Sequence, residues 1–87
     1  MKLKGDVLLS EADDCVIAVA TGTESRFNGM VRLNSTAGFV ANLMTDEITE
    51  DEIVEKLTET YDVTEEIARE NVKKVVDGFR KIGFLQE

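Results

Sequence analysis

One change of hydrophobic pattern, within residues 30–38, constrains the fold of this chain more than any other feature of its sequence. Residues 30–33 alternate as a strand does, and Asn34 or Ser35 then supplies a helix-capping side chain. Short runs rich in β-branched residues precede this change, and acidic segments with apolar residues at helical spacing follow it. The order predicts an α+β domain with its strands first and its helices after them.

Two of the three predicted strands form a hairpin. Residues 7–9 and 15–20 are apolar runs, and residues 11–14 between them have turn composition. This arrangement predicts two antiparallel strands joined by a turn. A longer polar connection over residues 21–28 then leads to the third strand.

The third predicted strand covers residues 29–33. Strand alternation places Val31 and Leu33 on one side and Met30 and Arg32 on the other, so the strand is expected to be half buried. If it lies at a sheet edge, its unpaired backbone groups offer a place for an extended peptide to add as another strand. The alternative is a central strand, or an edge that is merely solvated.

Three helices are predicted after the third strand. Gly38 within the first helix indicates a close approach to a neighbouring element. Thr49 and Glu52 form a capping box at the start of the second helix. Thr64 caps the third helix, and Gly83 is suited to end it. Together with the strands, these helices predict a three-stranded antiparallel sheet followed by three helices, in a winged helix-turn-helix-like arrangement.

The composition limits what this chain is able to do. Ten basic and eighteen acidic residues give a net charge of −8, which opposes binding to nucleic acid or to an acidic membrane. The absence of His removes the commonest general base and zinc ligand, and Cys15 is the only cysteine. No apolar run approaches the length of a membrane span. We therefore expect a single cytoplasmic domain over residues 1–87, a monomer or weak dimer, with no catalytic residue, cofactor, metal or membrane contact.

The third helix carries half of the basic residues and supplies the second candidate site. At about 100° per residue, Arg69, Lys73, Val76 and Arg80 share one face of this helix and are expected to attract an acidic peptide. The alternative is that the cations are neutralised within the helix at i,i+4 spacing. The pairs that this alternative predicts are Glu65 with Arg69, Glu70 with Lys74, and Asp77 with Lys81.

The second and third helices also suit a helix-turn-helix that binds DNA or a protein partner. The third helix would then be the one that enters the major groove. Its first turns carry Glu65, Glu66 and Glu70, which would face phosphates and base edges. A DNA-binding regulator is therefore the weaker of the two hypotheses.

Three segments resemble the coenzyme PQQ synthesis protein D (PqqD) family, also called the RiPP precursor peptide recognition element. They are residues 31–38, residues 53–63 around the second helix, and residues 72–85 at the end of the third. Most of these positions are core residues or helix caps, so their order along the chain is the specific signal.

The resemblance implies a winged helix-turn-helix fold and a role without catalysis. Members of this family bind the leader of a ribosomally made precursor peptide and deliver it to a modifying enzyme, often a radical SAM protein. The leader adds to the third strand and packs beside the third helix. Carried over by position, the resemblance implies a peptide-binding site formed by Met30, Val31, Arg32, Leu33, Arg69, Lys73, Val76 and Arg80.

Overall fold

The computed structural model describes residues 1–21 and 30–86. Its elements run, in chain order, β1 (Lys2–Leu3), β2 (Val7–Glu11), β3 (Val16–Ala20), β4 (Met30–Leu33), α1 (Ser35–Leu43), α2 (Glu50–Thr60), α3 (Glu65–Ile82) and β5 (Leu85–Gln86). The predicted α+β fold is confirmed: a three-stranded antiparallel sheet precedes three helices, as in a winged helix-turn-helix. The predicted connection over residues 21–28 and the strand start at residue 29 lie outside the described residues, except for Thr21.

The main sheet has the order β2-β3-β4, and both of its pairs are antiparallel. The strand predicted third is therefore β4, at one edge of this sheet. Pairing of Val16 with Leu33 and of Ala18 with Val31 fixes which side chains share a face. Ala18 and Leu33 are buried on the face that packs against the helices, so the alternation read from the sequence is confirmed.

All three helix starts follow the capping chemistry expected from the sequence. The Asn34 side chain accepts a hydrogen bond from the Ala37 backbone N–H at 2.8 Å, which selects Asn34 over Ser35 as the cap of α1. Thr49 and Glu52 form the predicted capping box at the start of α2. α3 ends at Gly83, the residue expected to cap it, which adopts the left-handed conformation at φ 81°.

The core lies between the inner face of the sheet and the three helices. Val40, Met44, Ile53 and Leu57 are almost completely buried within it. Gly38 lies where α1 crosses the sheet: a Cβ atom added there would collide with the side chain of Val16, 2.8 Å from its Cβ. The close approach predicted for this glycine is confirmed.

A second, two-stranded sheet was not predicted. β1 and β5 pair antiparallel, with Leu3 opposite Leu85, and thus join the two ends of the described chain. The Lys4 N–H donates to the Phe84 carbonyl oxygen at 2.8 Å. Two residues are too few for a recognisable alternation, so the sequence carried no signal for this sheet.

Candidate functional site

The β4 edge is the first component of the candidate site. On one side β4 pairs with β3, and no strand within residues 1–21 and 30–86 pairs with its other side. Val31 and Leu33 face the helices, whereas Met30 and Arg32 point away from them and are exposed. An edge strand of this kind presents backbone N–H and C=O groups that an extended segment can pair with.

A groove runs between β4 and α3. Its volume is about 320 Å³, and its walls are almost entirely apolar. Among the lining residues Phe79 is buried, Val75 and Ile82 are half buried, and Lys74 is the one that carries a charge. The complete lining is Val31, Leu33, Lys74, Val75, Gly78, Phe79 and Ile82.

Gly78 widens this groove. It is exposed within α3, four residues before the helix ends, and a Cβ atom added there would meet no atom within 4 Å. A mid-helix glycine weakens a helix by about 0.5–1 kcal/mol relative to alanine. Because Gly78 packs against nothing, the space left by its missing side chain belongs to the groove and is available to a bound group.

The groove continues past Lys74 and Val75 into a second hollow of about 210 Å³ beside the start of α1. This hollow is more polar, since Asn34, Thr36 and Asn71 contribute to its lining. A segment that follows β4 therefore passes from an apolar section to one that offers hydrogen-bonding side chains.

The structure corrects the predicted helical wall of the groove. Val76 is only 2% exposed and belongs to the hydrophobic core, so it does not line the groove. Arg69 and Gly78 are nine residues apart, which places them about 180° apart around the helix. The face of α3 that includes Arg69, Lys73 and Arg80 is therefore not the face that borders β4.

Arg69 instead connects α3 to α2. Its guanidinium contacts Asp51 at 2.9 Å and Glu50 at 3.3 Å, and it lies 3.5 Å from Glu65 within its own helix. The hydrogen bond from Arg69 to Asp51 raises the pKa of the guanidinium, which stays a cation. Its charge is thus matched by carboxylates of the same chain.

Two of the three predicted intrahelical pairs form. Glu65 pairs with Arg69, and Glu70 lies 3.9 Å from Lys74. Within the described residues Asp77 contacts Arg80 at 3.2 Å rather than Lys81, so the third pair is wrong. The contact is made at i,i+3, a spacing that also brings side chains together on a helix.

Lys74, Val75, Gly78 and Ile82 are the groove residues that the sequence-based prediction missed. Val75 and Ile82 lie at helical spacing from buried Val72 and Phe79, which favours burial, yet both are only half buried. A usable signal existed in Gly78, because an uncompensated glycine within a long helix often marks a close approach or an open space. Which flank of α3 borders β4 depends on how the helix packs, and periodicity does not determine that.

The surface that a DNA-binding helix-turn-helix would use is acidic. Glu65 and Glu66 lie exposed in the first turn of α3, next to Thr64, which caps it. Carboxylates at this position repel the phosphate backbone. No group of three His, Cys, Asp or Glu side chains in the described parts of the chain is arranged to hold a metal ion. Among the same residues, no helix is long and apolar enough to span a bilayer.

Comparisons with known proteins agree with this architecture. The family model described as coenzyme PQQ synthesis protein D (PqqD) matches residues 7–85. The solved structure of TbiB1 in complex with the TbiA(beta) leader peptide has a TM-score of 0.81 at 17% identity, covering 99% of this chain and 95% of that one. A lasso peptide synthetase B1 complexed with the leader peptide has a TM-score of 0.77 at 17% identity, covering 99% and 96%. No curated protein matches the sequence.

Proposed function

Because the chain belongs to the coenzyme PQQ synthesis protein D (PqqD) family, we propose that it binds the leader of a ribosomally made precursor peptide. In this role it is an adaptor without catalysis, and it presents the leader to a modifying enzyme in the cytoplasm. The observation that carries the proposal is the open edge of β4 beside an apolar groove.

Strand addition at β4 explains why an edge and a groove lie together. A peptide that pairs with β4 continues the sheet, and alternate side chains of the peptide then point to the side on which Val31 and Leu33 lie. The groove lies on that side of the strand. Backbone hydrogen bonds hold any extended peptide, whereas the groove selects those with apolar side chains at every second position.

The groove favours a leader whose apolar positions are followed by polar or acidic ones. Val75, Gly78 and Ile82 offer an apolar wall with room for a large side chain. Lys74 lies where the apolar section meets the hollow lined by Asn34 and Asn71. Its contact with Glu70 is long at 3.9 Å, so a carboxylate of the leader is best placed there. Both solved neighbours were determined with a leader peptide, which supports leader binding by this chain.

A titration followed by backbone amide chemical shifts tests the proposal. The probe is a synthetic peptide with the sequence of the cognate leader. We expect the largest shifts in Met30–Leu33 and along the Lys74 to Ile82 wall of α3, with new protection from hydrogen exchange at β4. Shifts confined to the acidic surface of α2, or no saturable binding, would refute strand addition at β4.

A further inference from the structure

The face of the main sheet that points away from the helices has an unusual composition. The strand register aligns Leu8, Val19 and Met30 in one row across β2, β3 and β4, and a second row runs beside it. We call this surface the outer face. Its six positions are Leu8, Ser10, Ile17, Val19, Met30 and Arg32.

The outer face is apolar although it is open to solvent. Met30 is 68% exposed and Leu8 is 58% exposed, the two largest values among the large hydrophobic residues of the described chain. The open side of an antiparallel sheet ordinarily alternates to polar residues. Here four of six outward residues are apolar, and the single charge is that of Arg32, in a chain with eighteen acidic residues. An apolar patch of this kind on a small domain is often functional.

The position of the outer face indicates which partner covers it. Met30 and Arg32 belong to β4, the strand whose edge is proposed to bind the leader, so a leader strand added there extends the outer face by one strand. From strand spacing, the face covers on the order of 300 Å², against roughly 800 Å² per partner in a stable complex. A second copy confined to this face would therefore bind weakly, whereas a partner that also contacts the adjoining leader buries additional area and should bind more tightly when the leader is present.

We propose that the outer face is the docking surface for the modifying enzyme, which meets it with an apolar surface and a carboxylate opposite Arg32. This inference rests on the proposed function, because it assumes an adaptor that brings leader and enzyme together. It assigns two surfaces to one strand: the edge and inner side chains of β4 hold the leader, and its outer side chains hold the enzyme.

The test uses the purified cognate modifying enzyme, immobilised for binding measurements with and without saturating leader. Leu8→Glu places a charge on β2, two strands away from the leader edge. We expect this variant to bind the enzyme at least tenfold more weakly and to bind the leader with unchanged affinity. Arg32→Glu should weaken enzyme binding by a factor that shrinks as salt is raised. Thr60→Glu adds the same charge as Leu8→Glu at the exposed end of α2 and should change neither affinity.

The outcomes separate this inference from the proposed function. If the unmodified chain binds no leader, the proposed function fails. If it binds the leader but Leu8→Glu and Arg32→Glu leave enzyme affinity unchanged, the docking surface is wrong. Sedimentation velocity of the chain alone is the second measurement: a dimer that Leu8→Glu converts to monomer would assign the outer face to a second copy and overturn the enzyme as its occupant.

Discussion

The two flanks of α3 have opposite surface chemistry. The groove flank, formed by Lys74, Val75, Gly78 and Ile82, is mostly apolar and borders the β4 edge. The paired flank, formed by Arg69, Lys73 and Arg80, is cationic, and two of its cations contact carboxylates of the same chain: Arg69 contacts Asp51, and Arg80 contacts Asp77. Both flanks lie beside the same buried stripe, and only the groove flank has a hollow shared with β4.

This difference shows how to weigh charge against hydrophobicity in an acidic chain. With eighteen carboxylates on 87 residues, a cation on a helix finds an internal partner more readily than an external one. Exposed ion pairs of this kind contribute little energy, but they do reduce the attraction of the cation for a ligand. Half-buried apolar residues such as Val75 and Ile82 have no comparable internal partner that would remove their contact with water. They are therefore better indicators of a binding site.

The largest expected effect comes from a charge in the groove. Val75→Asp removes apolar contact and requires a carboxylate to lose water when the leader binds, which should cost about 2–3 kcal/mol, or roughly a 30- to 150-fold loss of leader affinity. Lys73→Asp makes the same new side chain on the paired flank and should stay within about twofold of the original affinity. Isothermal titration calorimetry with the synthetic leader measures both. Equal losses in the two variants would mean that the flanks do not differ.

Two substitutions at Gly78 sharpen the comparison further. Gly78→Leu fills the groove and should weaken leader binding about tenfold. Gly78→Ala leaves the groove open, and since its Cβ meets no atom within 4 Å it should raise the free energy of unfolding by about 0.5–1 kcal/mol. Gly38→Ala is the matched control, because its Cβ collides with Val16 and should destabilise the fold. Urea unfolding followed by circular dichroism measures the stabilities, and a destabilised Gly78→Ala would contradict an open groove.

On the paired flank, Arg69→Gln should affect stability and leave binding unchanged. The substitution removes the cation that joins Glu65 to Asp51 and Glu50 of α2, so the thermal midpoint should fall while leader affinity stays the same. Differential scanning calorimetry and the same peptide titration report the two quantities. A loss of leader affinity at constant stability would restore Arg69 to the binding site.

The smallest effect concerns the capping box of α2, which lies away from the groove. Glu52 accepts hydrogen bonds from the backbone N–H and the hydroxyl of Thr49, and these lower its pKa below the ordinary value of 4.5. A lowered folded-state pKa stabilises the fold above the ordinary value, and the contribution is lost as the pH falls through the folded-state pKa. Glu52→Gln retains a hydrogen-bonding side chain but does not titrate. The stability difference between the two proteins should therefore shrink below pH 4.5, with leader affinity unaffected at neutral pH.

Much of the fold was predictable from the sequence because its signals are local. Asn34, Thr49 and Thr64 cap helices through side chains three residues from their partners, and strand alternation sets which way Val31 points. The strand of the candidate site was predicted for the same reason, although its place at a sheet edge was not. The β1-β5 sheet was not, because its partners are separated by almost the whole chain and are two residues long each.

The sequence did not predict which residues of α3 form the helical wall of the site. A period of 3.6 residues places Val72, Val75, Val76 and Phe79 on a broad apolar stripe, but it does not say which margin of that stripe stays open. Packing decides this: the core covers Val76 completely and leaves Val75 half exposed toward β4. The sequence-based site included the basic residues of α3 because charged residues can be read from a sequence, whereas the ion pairs between α2 and α3 cannot.

The sequence by itself determined the order of elements, the helix boundaries and the direction of each strand's side chains, since each depends on residues within about one helical turn. The tertiary structure alone decided that β4 lies at an edge, which flank of α3 it faces, and that Leu8, Val19 and Met30 align on an outer face. These are relations between distant segments, and they are set by the way the apolar surfaces of sheet and helices pack together.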